Sequence, residues 1–330
     1  MDLRENLMAK GAMKIARDCG SVTAQDIVAI VCDYESFQVA NLVAKACLSL
    51  GACTNMIVFE PTERHGAPIP EMVGPAMEKV TVAFLITTKS MSHTPAVKMA
   101  RAAGCRIVTM PEIYPHMLMK GAIQADFPAQ APIAEAVREM LTKAKSARIV
   151  CEKVGTDISF VLEGRNGRAL TGIAKEPGSF ACPPNIEACL APVEEKTNGV
   201  FVINASIAGV GAVTEPVKVT VENGVIASIE GGSDADKLRD ILTKPDNPNC
   251  FRISELGIGL NPCAIPCGSL LEDEAPMGTV HIAAGNNASN FPGGQVSAPL
   301  HIDMIAKDST VYIDDVAILV DGEFQFDAIK

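Results

Sequence analysis

The sequence predicts an α/β N-terminal domain with a parallel sheet, joined to an α+β, mainly antiparallel C-terminal domain. Three observations support this. The chain has 330 residues, more than a single hydrophobic core usually holds. Up to about residue 150, apolar runs of strand length alternate with helical segments. After that point, strands with alternating polar and apolar residues predominate. We therefore expect domains at residues 1–150 and 151–330.

The first half alternates strands with helices. Continuous apolar strands are predicted at 26–33, 54–60, 81–88 and 105–110, and helices at 36–51, 69–80, 93–104 and 132–146. Strands that are apolar on both faces and joined by helices indicate a parallel sheet between helical layers. No G-x-G-x-x-G or Walker A sequence follows any of these strands, so the sequence offers no nucleotide-binding motif.

The second half is rich in antiparallel strand signals. Alternating segments lie at 160–165, 199–206, 216–232, 279–285, 300–305 and 309–324. Asn223–Gly224 separates two alternating runs and predicts a two-residue hairpin turn. Residues 233–244 predict one helix, which begins with Ser and Asp residues suited to its N-terminus.

Composition excludes several classes of protein. The net charge of −11 argues against nucleic acid as a partner, because phosphate binding requires a basic face. No run of 18 apolar residues occurs, and the start of the chain lacks an apolar leader segment, so we expect a cytoplasmic protein without a membrane partner. The eleven cysteines are mostly scattered singly in apolar runs, which predicts reduced thiols. The close pair Cys263 and Cys267 lacks the second pair that a zinc site normally needs.

Carboxylates and imidazoles in apolar surroundings mark the candidate site. His301 and Asp303 lie two residues apart in a predicted strand, so their side chains share one face. Glu187, Glu255 and His281 also lie in apolar or Gly/Pro-rich stretches, where a charge is costly unless it is paired or coordinated. Most other acids of this half lie in visibly polar runs, such as residues 271–276.

Five such ligands are enough for two metals that share a bridging carboxylate, and this donor set suits Zn, Mn, Co or Fe. Each residue is also compatible with an ordinary hydrogen-bonded place in the core. The residues alone leave both possibilities open.

Several segments resemble the M29 (thermophilic-type) metalloaminopeptidase family and its relatives, the 2,5-dihydroxypyridine 5,6-dioxygenases. In the second half these are residues 155–165, 183–202, 254–262, 280–287 and 299–305. Residues 63–113 resemble the N-terminal domain of the same family. The resemblance therefore covers most of the chain.

The resemblance implies that Glu187, Glu255, His281, His301 and Asp303 occupy the positions of the dinuclear metal centre of the peptidases. The dioxygenases hold one Fe(II) through two histidines and an aspartate. His301 and Asp303 match their H-x-D pair, but Glu255 stands where their other histidine falls. The full carboxylate set favours two divalent metals (Zn, Mn or Co) and hydrolysis, whereas one Fe(II) belongs to the dioxygenase alternative. The tyrosine that follows the first histidine in the peptidases is missing, since the chain has only Tyr34, Tyr114 and Tyr312.

The leading hypothesis is hydrolysis of an amide bond in a short peptide or in a small or cyclic amide, by a metal-activated water. Glu187 or Glu255 would act as general base, and Asn286 and Asn287 would donate hydrogen bonds to the substrate unless they only form a turn. The alternative is an Fe(II)-dependent ring-cleaving dioxygenase, and a third possibility is a binding protein without catalytic activity. Family resemblance implies a homodimer.

Three residues outside this cluster have both a functional and a structural interpretation. Arg165 and Arg168 would either clamp a substrate carboxylate or flank a solvated hairpin turn at Asn166–Gly167. His93 either contributes to a loop that closes over the site or simply lies near a helix start.

Overall fold

The computed structural model describes residues 3–92, 94–265, 270–289 and 291–329. His93 and Cys267 lie outside these residues. The chain forms two compact units: one holds the chain up to Ala131 together with Leu170–Asn185, and the other holds Pro132–Ala169 together with the chain from Ile186 onward. Residues 132–150 and 170–185 are thus each grouped with the other half of the chain. The division at residue 150 stays a prediction.

The helices and strands are numbered in chain order. The helices are α1 Leu3–Lys14, α2 Phe37–Ser49, α3 Val73–Met77, α4 Pro95–Ala102, α5 Phe127–Lys143, α6 Ser233–Thr243 and α7 Leu270–Asp273. The strands are β1 Ile27–Asp33, β2 Cys53–Phe59, β3 Val82–Ile86, β4 Arg106–Thr109, β5 Ser146–Cys151, β6 Thr156–Val161, β7 Arg168–Leu170, β8 Phe180–Ala181, β9 Glu187–Leu190, β10 Asn198–Ile203, β11 Ser206–Ile207, β12 Gly211–Ala212, β13 Val217–Glu222, β14 Val225–Glu230, β15 Ile253–Gly259, β16 Val280–Gly285, β17 His301–Ala306, β18 Thr310–Ile313, β19 Val316–Val320 and β20 Glu323–Phe324.

The first unit contains a parallel five-stranded sheet in the order β2-β1-β3-β4-β8. Its central strands are buried on both faces, which is why they appear in the sequence as unbroken apolar runs. At the amino end of β1, the carboxylate of Asp26 accepts hydrogen bonds from Arg106 and Thr81. The predicted parallel sheet is therefore present.

One predicted helix of this unit is much shorter than expected. The sequence predicts a helix over 69–80, whereas α3 covers only Val73–Met77. Pro75 has no N–H to bond the carbonyl of Glu71 and is tolerated only in the first turn of a helix, so the helix begins at Val73 rather than at residue 69. The fifth strand, β8, was not predicted, because two residues show no periodicity.

The second unit contains two antiparallel sheets. One has eight strands in the order β14-β13-β10-β6-β5-β18-β19-β20, and the other has seven in the order β12-β11-β17-β16-β15-β9-β7. The hairpin between β13 and β14 turns at Asn223 and Gly224, both with positive φ, as predicted. The mainly antiparallel character of this half is therefore present.

The cysteines that the structure describes are all free thiols, most of them buried, in agreement with the sequence analysis. Among the described residues, no helix has the length and apolar character needed to cross a membrane.

Candidate metal centre

One face of the seven-stranded sheet collects the five candidate ligands. They lie on four adjacent strands: Glu187 on β9, Glu255 on β15, His281 on β16, and His301 and Asp303 on β17. Strand register places Glu255 and Asp303 on either side of Ala283, and His281 beside Gly257. Because side chains of paired residues share a face, all five project from the same side of the sheet.

Small residues on this face make room for the larger ones. A Cβ atom at Gly257 would lie 2.0 Å from Nε2 of His281, so the imidazole occupies the space above this glycine. The register of β15 shifts between Ile253 and Glu255, a bulge that changes the direction of the strand beside the site. The glycine and the bulge together let His281 reach across β15 toward Glu187 on β9.

Glu255 lies between the two imidazoles. Its Oε1 atom is 3.5 Å from Nε2 of His281, and its Oε2 atom is 2.9 Å from Nε2 of His301. The same nitrogen of His281 lies 3.5 Å from Oε2 of Glu187, and that of His301 lies 3.3 Å from Oδ1 of Asp303. Two groups of three ligands result, Glu187–Glu255–His281 and Glu255–His301–Asp303, with Glu255 common to both.

Unpaired polar atoms in the buried group fit a cation. Oε2 of Glu187 and both ring nitrogens of His281 are buried, and none makes a hydrogen bond within the described part of the chain. Buried polar groups normally have partners, so this cluster has donor atoms to spare. The donor set of imidazole and carboxylate suits Zn, Mn, Co or Fe. The residues present therefore fit a divalent metal.

Proton affinities across the cluster are strongly perturbed. Burial raises the pKa of Glu187 to about 7, with a further contribution from the charge of Glu255. Burial opposes the ionised form of Glu255, but the hydrogen bond from His301 and the close contact and charge of His281 outweigh it and hold the pKa of Glu255 below its usual value. Burial lowers the pKa of His281, yet its contact with Glu255 and the charge of Glu187 raise it to about 9. The carboxylates thus favour a positive charge among them.

The loop between β16 and β17 orients His301. Its Nδ1–H donates to the backbone carbonyl of Asn286 at 2.7 Å, and the ring of Phe291 stacks on it at 6.1 Å between centroids. This hydrogen bond leaves Nε2 free to act as the ligand atom, an arrangement typical of metal-binding histidines. Asn286 therefore acts through its backbone, while its side chain donates to Ser289 at 2.6 Å.

The side chain of Asn287 is used within the protein. It is fully buried, its Nδ2 donates to the carbonyl of Ser254, and its Oδ1 accepts from the amide of Val296. A hydrogen bond from this amide to a substrate would require these contacts to break. The structure thus favours the interpretation of Asn287 as a residue that holds the loop, and its donor role stays a prediction.

Arg165 differs from both interpretations given by the sequence. It is buried rather than solvated, and its guanidinium binds the carboxylate of Glu194 and the carbonyl of Gly293. The strands β6 and β7 on either side belong to different sheets, so the turn between them is not a hairpin. Arg165 anchors the loop that precedes β17, and its guanidinium is already committed.

Sequence analysis missed Glu274. This half-buried residue lies close to Asp303, and burial together with the charges of Asp303 and Glu187 raises the pKa of Glu274 well above its usual value. It sits in the run 271–276, which looks like a solvated surface segment. An isolated β-bridge between Asn261 and Pro276 brings this run to the site, and no local sequence pattern predicts such a pairing.

The chain is similar to proteins of two kinds. The family model described as 2,5-dihydroxypyridine 5,6-dioxygenase (NicX) matches residues 12–326. The 2,5-dihydroxypyridine 5,6-dioxygenase of Pseudomonas putida is 26% identical over 257 residues, which cover 73% of this chain and 70% of that protein.

Solved structures agree over nearly the whole chain. The 2,5-dihydroxypyridine dioxygenase of Pseudomonas putida superimposes with a TM-score of 0.82 at 20% identity, covering 99% of each chain. AmpT from Thermus thermophilus, an M29 aminopeptidase, superimposes with a TM-score of 0.70 at 15% identity, covering 97% of this chain and 99% of that one. At these identities, the two structures establish the fold.

Proposed function

The chain belongs to the 2,5-dihydroxypyridine 5,6-dioxygenase (NicX) family, and on this premise we propose that it is a metal-dependent enzyme that opens a hydroxylated pyridine ring with O₂. The match over residues 12–326 and the similar dioxygenase support this alternative more strongly than the hydrolytic hypothesis. Under either hypothesis, the chain is an enzyme of a metal-binding family.

One geometric observation indicates which of the two ligand groups would bind the reacting metal, namely the exposure of the two histidines. The side chain of His301 is 21% exposed, whereas that of His281 is 1% exposed. Substrate can therefore approach the Glu255–His301–Asp303 group more readily than the buried group. This group also contains the H-x-D pair by which the chain resembles the dioxygenases.

Iron held by Glu255, His301 and Asp303 would supply the oxygen chemistry. Residues around this group would orient the imidazole of His301 and shield it from water. The carbonyl of Asn286 fixes the tautomer of His301, and Phe291 covers one face of the imidazole against water.

A second candidate function, hydrolysis of an amide by a dinuclear centre, is favoured by Glu255. Its two oxygens face two different imidazoles, which is how a carboxylate bridges two metals. A glutamate at this position also departs from the ligand set of two histidines and an aspartate. We keep this function as the second candidate, with Zn, Mn or Co as its metals and a short peptide or small amide as its substrate.

The two candidates predict different metal contents and different co-substrates. We would purify the protein without oxygen, measure metals by plasma mass spectrometry, and follow oxygen consumption with 2,5-dihydroxypyridine. One iron per chain with oxygen consumption supports the dioxygenase. Two Zn, Mn or Co per chain without oxygen consumption supports the hydrolase and directs the screen to amides.

Matched variants connect either activity to the site. His301→Ala should lose both metal and turnover, while His116→Ala, at an exposed position of the first unit, should keep both. Metal and turnover that survive His301→Ala would refute both candidates. A homodimer stays a prediction, which light scattering would test.

A further inference from the structure

A cleft lies at the carboxyl edge of the parallel sheet, and all of its lining residues belong to the first unit. The chain passes from β1 to β2 on one side of β1 and then to β3 on its other side, so the strand order reverses at β1. Ligands of open parallel sheets typically bind at such a point, outside the carboxyl ends of the strands. The cleft has a volume of about 470 Å³ and is lined by segments that follow β1, β2, β3 and β4. This volume suits a small molecule.

The carboxylate of Asp33 holds the walls of this cleft together. Asp33 is the last residue of β1 and is buried. Its Oδ1 accepts from the backbone amide of Ser36 at 2.9 Å, and its Oδ2 accepts from the amide and the hydroxyl of Thr88 at 2.6 and 2.7 Å. These bonds join the loop after β1 to the loop after β3, so the cleft needs little rearrangement to receive a ligand.

The N-terminus of α2 offers hydrogen-bond donors to the cleft. Ser36 precedes this 13-residue helix, is only 7% exposed and lines the cleft. Within the described residues its hydroxyl makes no hydrogen bond, although serine at this place usually caps the helix. The first backbone N–H groups of a helix also lack acceptors and carry the positive end of its dipole. A nearly buried hydroxyl beside such amides needs a partner, and an anionic oxygen would supply it.

The charges that line the cleft favour an anion with a single charge. Nζ of Lys89 lies 3.9 Å from Oε1 of Glu112, and the lysine side chain is 35% exposed, so an incoming anion can reach its ammonium group. Glu35 and Glu112 line the same cleft and would repel a more highly charged ligand. A carboxylate therefore fits better than a phosphate group, which carries about −1.5 to −2 charges at pH 7.

Apolar side chains form another part of the wall. Val39 and Ile113 are buried, whereas Tyr114 is 50% exposed, and all three line the cleft. Aromatic rings gain from stacking on one another and from covering apolar surface.

We propose that this cleft binds a small aromatic carboxylic acid. The carboxylate contacts the N-terminus of α2, the hydroxyl of Ser36 and the ammonium group of Lys89, and the ring packs against Ile113 and Tyr114. This inference goes beyond the proposed metal-dependent function, because the cleft residues belong to the first unit and the metal ligands belong to the second.

Benzoate is the probe for this cleft, and titration calorimetry on the purified protein measures its binding. We expect benzoate to bind, while acetate, which lacks the ring, and benzyl alcohol, which lacks the charge, bind much more weakly. Lys89→Met and Ser36→Ala each remove a donor to a charged group and should weaken benzoate binding about 10- to 100-fold. Lys98→Met, at an exposed position of α4, should leave it unchanged.

Glu112→Gln tests the sign of the ligand charge. Glu112 competes with the ligand for Lys89, so this variant should bind benzoate more tightly. Weaker binding would contradict the assignment of an anion to this cleft. The chain contains no Trp, so Tyr114→Trp places a single tryptophan in the wall, and its fluorescence should change when benzoate is added.

His301→Ala separates the cleft from the metal centre, because metal ions also bind carboxylates. This variant should lose the metal and keep its affinity for benzoate. Loss of benzoate binding in His301→Ala would place the probe at the metal centre and overturn the cleft proposal. Binding that is unaffected by both Lys89→Met and Ser36→Ala would also overturn it. A wild-type protein that does not bind benzoate overturns the cleft proposal and leaves the proposed metal-dependent function intact.

Discussion

Gly257→Ala tests whether the position of His281 depends on a missing side chain. The added Cβ would lie 2.0 Å from Nε2 and 2.2 Å from Cε1 of the imidazole, far inside contact distance. Gly257 lies in the middle of β15 and is paired on both sides, so the backbone cannot easily move away. The ring must therefore move by more than an ångström to reach ordinary contact distance from the new Cβ. This movement would break its present 3.5 Å contacts with Glu187 and Glu255.

Two effects should follow from this clash. Overpacking a core costs about 1–3 kcal/mol, which lowers the melting temperature by about 2–4 °C per kcal/mol in a unit of this size. The displaced imidazole should also abolish metal binding at the inner group. We would measure unfolding by circular dichroism and metal content by plasma mass spectrometry.

Combining Gly257→Ala with His281→Ala tests whether the contact between the new Cβ and the imidazole causes the loss of stability. In His281→Ala the ring is gone, so adding Gly257→Ala should cost little further stability, and the two changes should be strongly non-additive. If Gly257→Ala destabilises both backgrounds equally, the loss comes from the strand rather than from the imidazole, and the steric argument is refuted.

Three further predictions concern protons and charge. Metal must displace the proton of His281, whose pKa is about 9 in the metal-free protein, so Co²⁺ affinity should fall about tenfold per pH unit below that value, and more steeply below about pH 7, where Glu187 is protonated as well; a flat competition titration between pH 6 and 8 would contradict this. Burial and the charges of Asp303 and Glu187 raise the pKa of Glu274 and so favour its neutral form; Glu274→Gln should therefore keep the metal content while Asp303→Asn reduces it, and equal losses in both variants would assign Glu274 a ligand role. Burial works against ionised Asp26, but hydrogen bonds from Thr81 and Arg106 hold its pKa below the usual value, so its stabilisation is present above about pH 4 and lost as the pH falls through the folded-state pKa. Asp26→Asn should therefore cost about 3 kcal/mol in urea unfolding at pH 7, and this cost should shrink as the pH is lowered below about 4; a loss independent of pH would exclude the charge as the cause.

Local patterns were sufficient for much of the fold. Strands such as Ile27–Asp33 are buried on both faces, so their apolar runs indicate a parallel sheet without any tertiary information. The turn at Asn223–Gly224 depends only on two adjacent residues that accept positive φ. By contrast, the two-residue strand β8 forms through pairing with β4, and its own sequence contains no strand signal.

The candidate site was predicted in part for the same reason. His301 and Asp303 share a face because side chains alternate along one strand, and this requires no knowledge of the partner strands. The polar run that contains Glu274 looks solvated until a remote pairing brings it beside Asp303. Likewise, Arg165 looks like a surface residue until Glu194 and Gly293 reach it from other parts of the chain.

By itself, the sequence determined the two structural classes, the reduced cysteines and the five carboxylate and imidazole residues in apolar surroundings. Only the tertiary structure decided that Glu255 stands between the two histidines and that Gly257 gives His281 its place. The physical reason is that side-chain alternation is local to one strand. Register and strand order instead result from the packing of whole sheets, and they alone bring residues as far apart in the sequence as Glu187 and His281 to within ligand distance of one another.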